Sequence, residues 1–565
     1  MPARPTPSST PPPKTPDVIF QPKTSAALKR GIDVIVDAIR PTLGPLPRLV
    51  AIERILPGKP PETLDSGATI ARRILQIQPR DADMGAMFVR HMLWKLQEKQ
   101  GDGTAAAAVI FQSLYHHGLT YIAAGGNAAM LRRYLEEGLR LVDEQLTKMT
   151  VPLHGKDTLA RYAETVCHDA ALAEALGEIH DILGPYGRLE IRNAQRMENR
   201  REYVQGIHWE EGPLSPEMIL NKREWRTTLP EAWVVVTDLE IDDPEDVIHL
   251  LELALQNDVH SILLVARALS DRALGVLFNP ANRRLVQVLA VKTPGSFVDA
   301  QYPALTDLAV LTGGRPLLSL TSDRLQDLTV EDCGMARRIW ATRDTFGITT
   351  GKGDPCTVQE HVKQLQAAYR NCDKANERDL LALRIGRLLG GSATLWLGAQ
   401  SDADYEEKKQ RAERASRALR AALLEGVVPG GGTALLACRP PLLEQMRQSE
   451  HSDRRAAYRI LAMALEEPFR TLISNARGQK WVVESGEWGV GDVSPGEIVE
   501  LLAQNDFRCA FDLRQNQIVD PFEAGLLDAA AVLRDSIHSA VSSAALLLTT
   551  DVLVHRKNPP MEYNT

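Results

Sequence analysis

Aromatic side chains are scarce in this chain. Phe, Trp and Tyr make up 5% of it, while alanine and leucine abound, which points to a helix-rich protein. Cysteine is sparse as well. Cys167, Cys333, Cys356, Cys372, Cys438 and Cys509 are scattered, with no Cys-x-x-Cys pair and no histidine at metal-ligand spacing. That argues against a zinc site and a disulfide framework, and it suits a reducing cytoplasm. Positive charge is not in excess: the net charge of −8 leaves no nucleic-acid footprint. No apolar run reaches membrane-spanning length. The nearest, Ala540 to Leu548, carries Ser542 and Ser543 and soon meets Asp551. The first residues lack a charged-then-apolar export pattern. The expectation is a cytoplasmic protein with neither membrane nor nucleic acid as partner. Common enzyme signatures are missing too. There is no Gly-x-x-x-x-Gly-Lys-Ser/Thr loop, no Gly-x-Gly-x-x-Gly and no Gly-x-Ser-x-Gly elbow. Histidines such as His116 and His117 read as helix surface or core.

What is present is ordinary globular material, 44% hydrophobic and 24% charged. At 565 residues the chain is too long for one core, and about three domains are expected. Met1–Pro16 is Pro/Ser/Thr-rich and reads as a disordered tail. A strand over Asp17–Phe20 precedes a helix over Thr24–Arg40, stopped by Pro41-Thr42-Leu43-Gly44-Pro45. Leu49–Ile52 reads as a strand and Ala68–Ile77 as a helix. Met84–Glu98, Ala105–Tyr121 and a further segment to about Met149 are helical. Asp157–Leu183 is read as one helix, followed by a Gly184–Gly187 turn and a strand over Arg188–Arg192. From about Val204 to Leu389 short strands alternate with helices, the pattern of an α/β layer with a parallel sheet. Asp404–Glu425 is a long charged helix. The remainder is helical again, apart from a strand-rich piece at Trp481–Asp520 and a final strand, Asp551–His555. A helical part on either side of an α/β part suggests one domain inserted in another.

The stretch that organises this pattern is Gly101-Asp102-Gly103-Thr104, between two long helices. Two glycines allow a tight turn close to a ligand. Thr104 reads as the cap of a helix whose free amides favour phosphate, and Asp102 could hold a bridging divalent cation. An ordinary helix–turn–helix with a polar cap fits the same residues.

Other segments bear on that choice. Thr42-Leu43-Gly44-Pro45, Gly101-Asp102-Gly103-Thr104, Asp307-Leu308-Ala309-Val310-Leu311-Thr312-Gly313-Gly314 and Glu407-Lys408-Lys409 follow one another in order. Leu424 to Gly432 (Leu-Glu-Gly-Val-Val-Pro-Gly-Gly-Gly) and Gly525-Leu526-Leu527-Asp528 complete the set. With these six motifs the chain, from about Asp17 to Lys557, resembles the group I chaperonins of the bacterial GroEL type. The resemblance implies a multidomain α and α/β fold. A helical equatorial domain would comprise residues 17–148 and 425–565, and a small α+β intermediate domain 149–204 and 393–424. An α/β apical domain would comprise 205–392. It also implies ATP and Mg2+ as ligands, with K+ a further candidate, and unfolded polypeptides as clients. Further implied partners are a lid co-chaperonin and a homo-oligomeric seven-membered ring, or a mixed ring with another chaperonin. Strands near the two chain ends would pair neighbouring subunits.

Carried over residue by residue, Thr42, Leu43, Gly44 and Pro45 would line the nucleotide. Asp102, Gly103 and Thr104 would hold magnesium and phosphate, with Asp102 the metal ligand. Gly430 and Gly431 would let the backbone approach the ribose, Asp528 would accept from its hydroxyls, and Asp512 would lie near the base. Several positions depart from the family. Two threonines that follow the Gly-Asp-Gly-Thr turn are here Ala105 and Ala106. In Thr63-Leu64-Asp65-Ser66-Gly67 either Asp65 or Ser66 takes the place of a magnesium- or water-binding aspartate, and a lysine is lost in both registers. In Glu407-Lys408-Lys409-Gln410-Arg411-Ala412-Glu413-Arg414 the last residue stands where the family has the aspartate that activates water. A guanidinium cannot act as that base, and losing a positioned base costs about 10²–10⁴ in rate. Glu413 points about 100° away on a helix. Arg414 could instead clamp phosphate. The resemblance therefore implies a chaperonin with impaired hydrolysis. The alternatives are a holdase or a structural or regulatory subunit of mixed rings, or normal turnover through another carboxylate.

The polypeptide-binding face would come from Leu214 and Met218 in a loop, Ile248, Leu251 and Leu255 on one helix, and Leu274, Leu277 and Phe278 on the next. Such stripes are also what plain core looks like. Ile248, Leu251 and Leu255 are the stripe expected to stay exposed.

Overall fold

The computed structural model describes residues 17–44, 48–53, 61–194, 198–205, 207–221, 225–295, 298–372, 374–389, 391–476, 480–483, 486–489, 494–513 and 515–555. The expected tail Met1–Pro16 and the site residue Pro45 lie outside them. The chain divides into two compact units. One is Met1–Gly177 with Gln410–Thr565, and the other is Glu178–Lys409.

The first unit is a helical bundle. Strand β1 (Asp17–Phe20) leads into α1 (Lys23–Ile39), and β2 (Val50–Ile52) pairs with β3 (Glu62–Leu64). Then come α2 (Gly67–Arg73), α3 (Arg80–Gln100), α4 (Thr104–Ala123), α5 (Ala128–Met149) and α6 (Lys156–Cys167). Helices Ser452–Ala476 and Ala530–Leu548 complete the bundle. In α1, Leu28, Ile32, Ile35 and Ile39 recur at helical spacing and are fully buried. In α4 the run Ala107–Tyr115 is buried on every side, which makes it the central helix. Helices α1 and α3 cross at a pair of glycines. A Cβ on Gly31 would lie 1.8 Å from the Ala82 carbonyl oxygen, and one on Gly85 would lie 2.3 Å from that of Leu28. The first and last described strands meet, since β1 runs antiparallel to strand Val552–His555.

The stretch expected as one helix over Asp157–Leu183 is two. His168 sits at φ 54° between α6 and the helix Ala170–Leu183, and the Asp169 carboxylate accepts from the Leu172 amide at the new start. The break follows from an Asp that competes as a cap with helix continuation.

The second unit holds a six-stranded sheet. Its order is Gln287–Lys292, Ser261–Ala266, Thr227–Val236, Gly334–Ala341, Phe346–Gly351 and Ile207–Trp209. The first three strands are parallel and the rest join antiparallel, so the sheet is mixed where a parallel one was expected. Loop length accounts for one of these joins: only Thr342–Thr345 separates Gly334–Ala341 from Phe346–Gly351, and a parallel return needs about a dozen residues. Buried Asp307, from one of the six motifs, accepts two bonds from Arg384 at 2.8 Å and faces His361 at 2.8 Å. That motif thus ties three helices of the unit, Val298–Thr312, Pro355–Asn371 and Ala375–Leu389. A smaller sheet has Gly391–Leu397 between Arg188–Asn193 and Arg200–Gln205.

The crossing of α1 and α3 yields a direct expectation. Gly31→Ala forces the helices apart and lowers stability by about 2 kcal/mol or more, read as a fall in the urea midpoint. A serine in place of exposed Lys29 leaves the midpoint within about 0.5 kcal/mol.

Candidate functional site

A cleft of about 550 Å³ in the first unit gathers residues from segments far apart in sequence. It is lined by Thr42, Leu43, Gly44, Asp65, Asp102, Gly103, Thr104, Ala105, Ala106, Arg414, Gly431, Asp512 and Asp528. Every described nucleotide-site residue expected from the sequence is there except Gly430. The Gly430 amide donates to the Leu526 carbonyl at 2.8 Å, and a Cβ on it would press on the Leu526–Leu527 backbone. Gly430 therefore holds one wall, while Gly431 faces the cleft.

The floor is the turn between α3 and α4. Gly101 and Gly103 both adopt left-handed backbone, at φ 78° and 83°. Gly103 is the N-cap, and Thr104 opens the helix as its first residue, which corrects the expected capping role. A side chain at the cap would collide: a Cβ on Gly103 would lie 2.4 Å from Ser536 Oγ and 2.7 Å from a Val532 methyl. No side chain caps α4, so the amides of Thr104, Ala105 and Ala106 begin the helix without intrahelical acceptors. Such a start is suited to an anion. The Thr42–Gly44 segment is held by Asn475, whose amide donates to the carbonyls of Arg40 at 2.8 Å and Leu43 at 2.7 Å.

Strand Leu527–Ala529 pairs with Val427–Pro429 and places Asp528 opposite Val428. Desolvation, with the Asp102 carboxylate second, pushes the Asp528 carboxyl up to about 7. Tyr162 on α6 is buried beside both, and desolvation and then those two carboxylates hold its hydroxyl well above the usual phenol range. Sequence reading did not single out Tyr162, Ser536 or Asn475. Each lies on a helix whose pattern reads as packing, and no motif surrounds it.

Also on the cleft lining, the Arg414 guanidinium donates to Asp65 at 3.1 Å, and both side chains are largely buried. Burial opposes ionisation of Asp65, yet Arg414, and Arg411 beyond it, hold its carboxyl below the ordinary aspartate value. Arg414 Nε and Ser66 Oγ are buried without a hydrogen-bond partner. Of the Glu413–Arg414 pair, Arg414 alone lines the cleft.

The arrangement fits a phosphorylated ligand with a divalent cation. It offers an uncapped helix start, two orphan polar atoms, a carboxylate at Asp102, and an opening at Gly431, where a Cβ would meet nothing nearer than the Phe511 carbonyl oxygen at 3.9 Å. Among the described residues no group of three or more His, Cys, Asp or Glu could hold a metal ion. A magnesium ion here would take most of its ligands from phosphate and water, as that ion commonly does.

Comparison with known proteins agrees with the geometry. The model of the TCP-1/cpn60 chaperonin family matches residues 281–558. The chaperonin gp146 of the bacteriophage EL 2 (Pseudomonas aeruginosa), crystallised in the presence of ATP-BeFx, superposes with a TM-score of 0.70. It is 19% identical, over 96% of this chain and 99% of that one. The chain has the chaperonin fold. A group III chaperonin in the open state also matches, with a TM-score of 0.62 and 18% identity over 94% of this chain and 97% of that one. The likeness is thus to TCP-1/cpn60 chaperonins, with phage and group III structures as the neighbours reported, and the narrower group I assignment is not established by them. Among the described residues, no helix is long and apolar enough to cross a membrane.

The second unit carries the residues expected to grip polypeptide. Ile248 and Leu255, one above the other on helix Pro244–Gln256, are each 41% exposed. Leu251 between them is buried, as are Met218 and Leu277. The expected continuous stripe is corrected to a pair, because the Val247–Leu250–Leu251–Ala254 face packs on the sheet. Leu214, Leu274 and Phe278 are half-buried.

The Asp528 carboxyl sets a pH dependence. Its value lies above the ordinary 3.8, so the folded protein holds a proton there that the unfolded chain has released. Stability from this group is full below about pH 4 and is lost as pH rises through about 7. Asp528→Asn is expected to raise the melting temperature of the ligand-free protein at pH 8, with the gain shrinking towards pH 5. A gain that is equal at both pH values contradicts the assignment.

Proposed function

We propose that this chain is a chaperonin subunit that assists protein folding, binds ATP with magnesium in the first unit and hydrolyses it slowly. The observation that carries this reading is the convergence of Thr42, Asp102, Gly103, Thr104, Gly431, Asp512 and Asp528 on one cleft. In it the α4 amides and Thr104 receive phosphate, Asp102 holds magnesium, Gly431 lies under the ribose, Asp528 accepts from the ribose hydroxyls and Asp512 approaches the base. Magnesium, when bound, neutralises phosphate charge; K+ is a further candidate ligand. These roles rest on the group I motif set read from the sequence.

Hydrolysis is slow because the position of the water-activating base carries Arg414, which is tied to Asp65. The lost hydroxyls at Ala105 and Ala106 weaken phosphate contacts further. The same ion pair favours a second reading, a hydrolysis-deficient holdase or a structural subunit of mixed rings. Both readings share an assembly of subunits into rings, with seven members the family expectation. Supporting it, β1 and its partner Val552–His555 form a ribbon of two strands whose outer edges are unpaired among the described residues. Val18, Phe20, Val552 and Val554 of that ribbon are exposed. Unpaired edges with apolar side chains suit addition of a neighbour's strand. The three-domain division, a lid co-chaperonin and unfolded polypeptides as clients of the Ile248–Leu255 surface belong to the same proposal.

Phosphate release with magnesium, potassium and saturating ATP tests it. Release is expected to be slow, and Arg414→Asp to raise it by on the order of tenfold or more. An Arg414→Asp protein that binds ATP and releases no more phosphate contradicts the base argument. Replacing both Ile248 and Leu255 by serine is expected to weaken suppression of aggregation of a chemically denatured client, read by light scattering, without lowering thermal stability.

A further inference from the structure

Arg414 presents a fork of donors of which one is engaged with Asp65 at 3.1 Å and another, Nε, is buried with no acceptor. An ion pair that leaves a buried guanidinium nitrogen unsatisfied is an incomplete solution, since burying a donor without a partner is costly. Its surroundings place it beside the start of α4, on the cleft lining. A Cβ on Gly101 would lie 3.1 Å from the Arg414 carbonyl oxygen, so the backbone of Arg414 abuts the turn that begins α4. A Cβ on Gly67 would lie 3.1 Å from Thr104 Oγ1 and 3.5 Å from the Ala105 amide nitrogen, so the Asp65–Gly67 segment also abuts that helix start. Ser66 adds an orphan hydroxyl beside Asp65. Gly431, Phe511 and Asp512 line the same cleft. In the proposed site the phosphates lie on the α4 amides, and Arg414 and the Asp65–Gly67 segment both abut that helix start, so the phosphate chain comes within reach of Arg414.

We propose that Arg414 is the residue that reads the terminal phosphate, with Asp65 occupying it as a stand-in anion until a nucleoside triphosphate arrives. The site then prefers a triphosphate to a diphosphate, because only the former supplies an anion able to take both the Asp65-bound and the orphan donor in the bidentate manner arginine favours. Arg414 is a specificity-determining residue in this account and takes no part in activating water. The inference rests on the proposed nucleotide site.

The test is binding, without turnover. ATP, its non-hydrolysable imido analogue and ADP are titrated calorimetrically, with magnesium, into the assembled protein and into Arg414→Ala, Arg414→Lys and Asp65→Asn variants of unchanged circular dichroism. Arg414→Ala is expected to weaken both triphosphates by about tenfold or more while changing ADP by less than about threefold. Arg414→Lys recovers part of the loss, and Asp65→Asn tightens the triphosphates by removing their competitor. Equal weakening of ADP and ATP in Arg414→Ala, or no weakening of either, overturns the proposal. Should Arg414→Ala fail to fold, an Asp65→Asn protein with no gain in triphosphate affinity overturns it instead. A wild-type protein that binds neither nucleotide removes the site itself, a result distinct from binding without discrimination.

Discussion

The contact of Gly103 with Ser536 and Val532 is the constraint on which the cleft depends. It sets where α4 begins, and α4 is the helix that the rest of the bundle surrounds. Gly101, two residues earlier, is covered by Arg417 and the Arg414 carbonyl, and Gly67 packs on Thr104 and Ala105. The turn is therefore clasped by three separate segments. None of them tolerates even a methyl group without movement, since the interior is packed too closely to yield. A floor fixed in this way lets the helix amides serve as a prearranged anion site instead of reorganising upon binding.

Charge of both signs lines the cleft. Asp102 and Asp528 oppose one another strongly enough that the latter's carboxyl is pushed up to about 7, after desolvation has done most of the lifting. Towards Arg414 the sign reverses, and Arg411 and Arg414 together keep Asp65 ionised despite burial. An anionic ligand that brings a cation of its own suits both signs of charge at once, and neither sign alone identifies it.

Much of this was legible in the sequence. The expected alternation of strands and helices holds at helix Pro244–Gln256 and strand Ser261–Ala266, because Asp243 caps the first and the second is an unbroken apolar run. The motif residues of the cleft could be listed because glycine turns and lone acids between helices are local signals. What escaped was set by contacts across the chain. The break at His168 depends on a cap that helical periodicity conceals. The mixed sheet follows from pairing partners, and the burial of Leu251 from which face of its helix meets the sheet. Asn475 and Tyr162 lie on apolar helices and acquire meaning only through what they touch.

The pairing of Asp17–Phe20 with Val552–His555 also governs the order in which the protein can be made. A ribosome delivers α1, α3 and α4 long before Ala530–Leu548, the helix against which α4 buries its apolar surface. The interrupting unit, Glu178–Lys409, is contiguous and can complete its own core while the first helices still wait. For most of its synthesis the nascent chain therefore displays an unsatisfied apolar bundle-half, and it needs during its birth the kind of shelter that it is proposed to offer others.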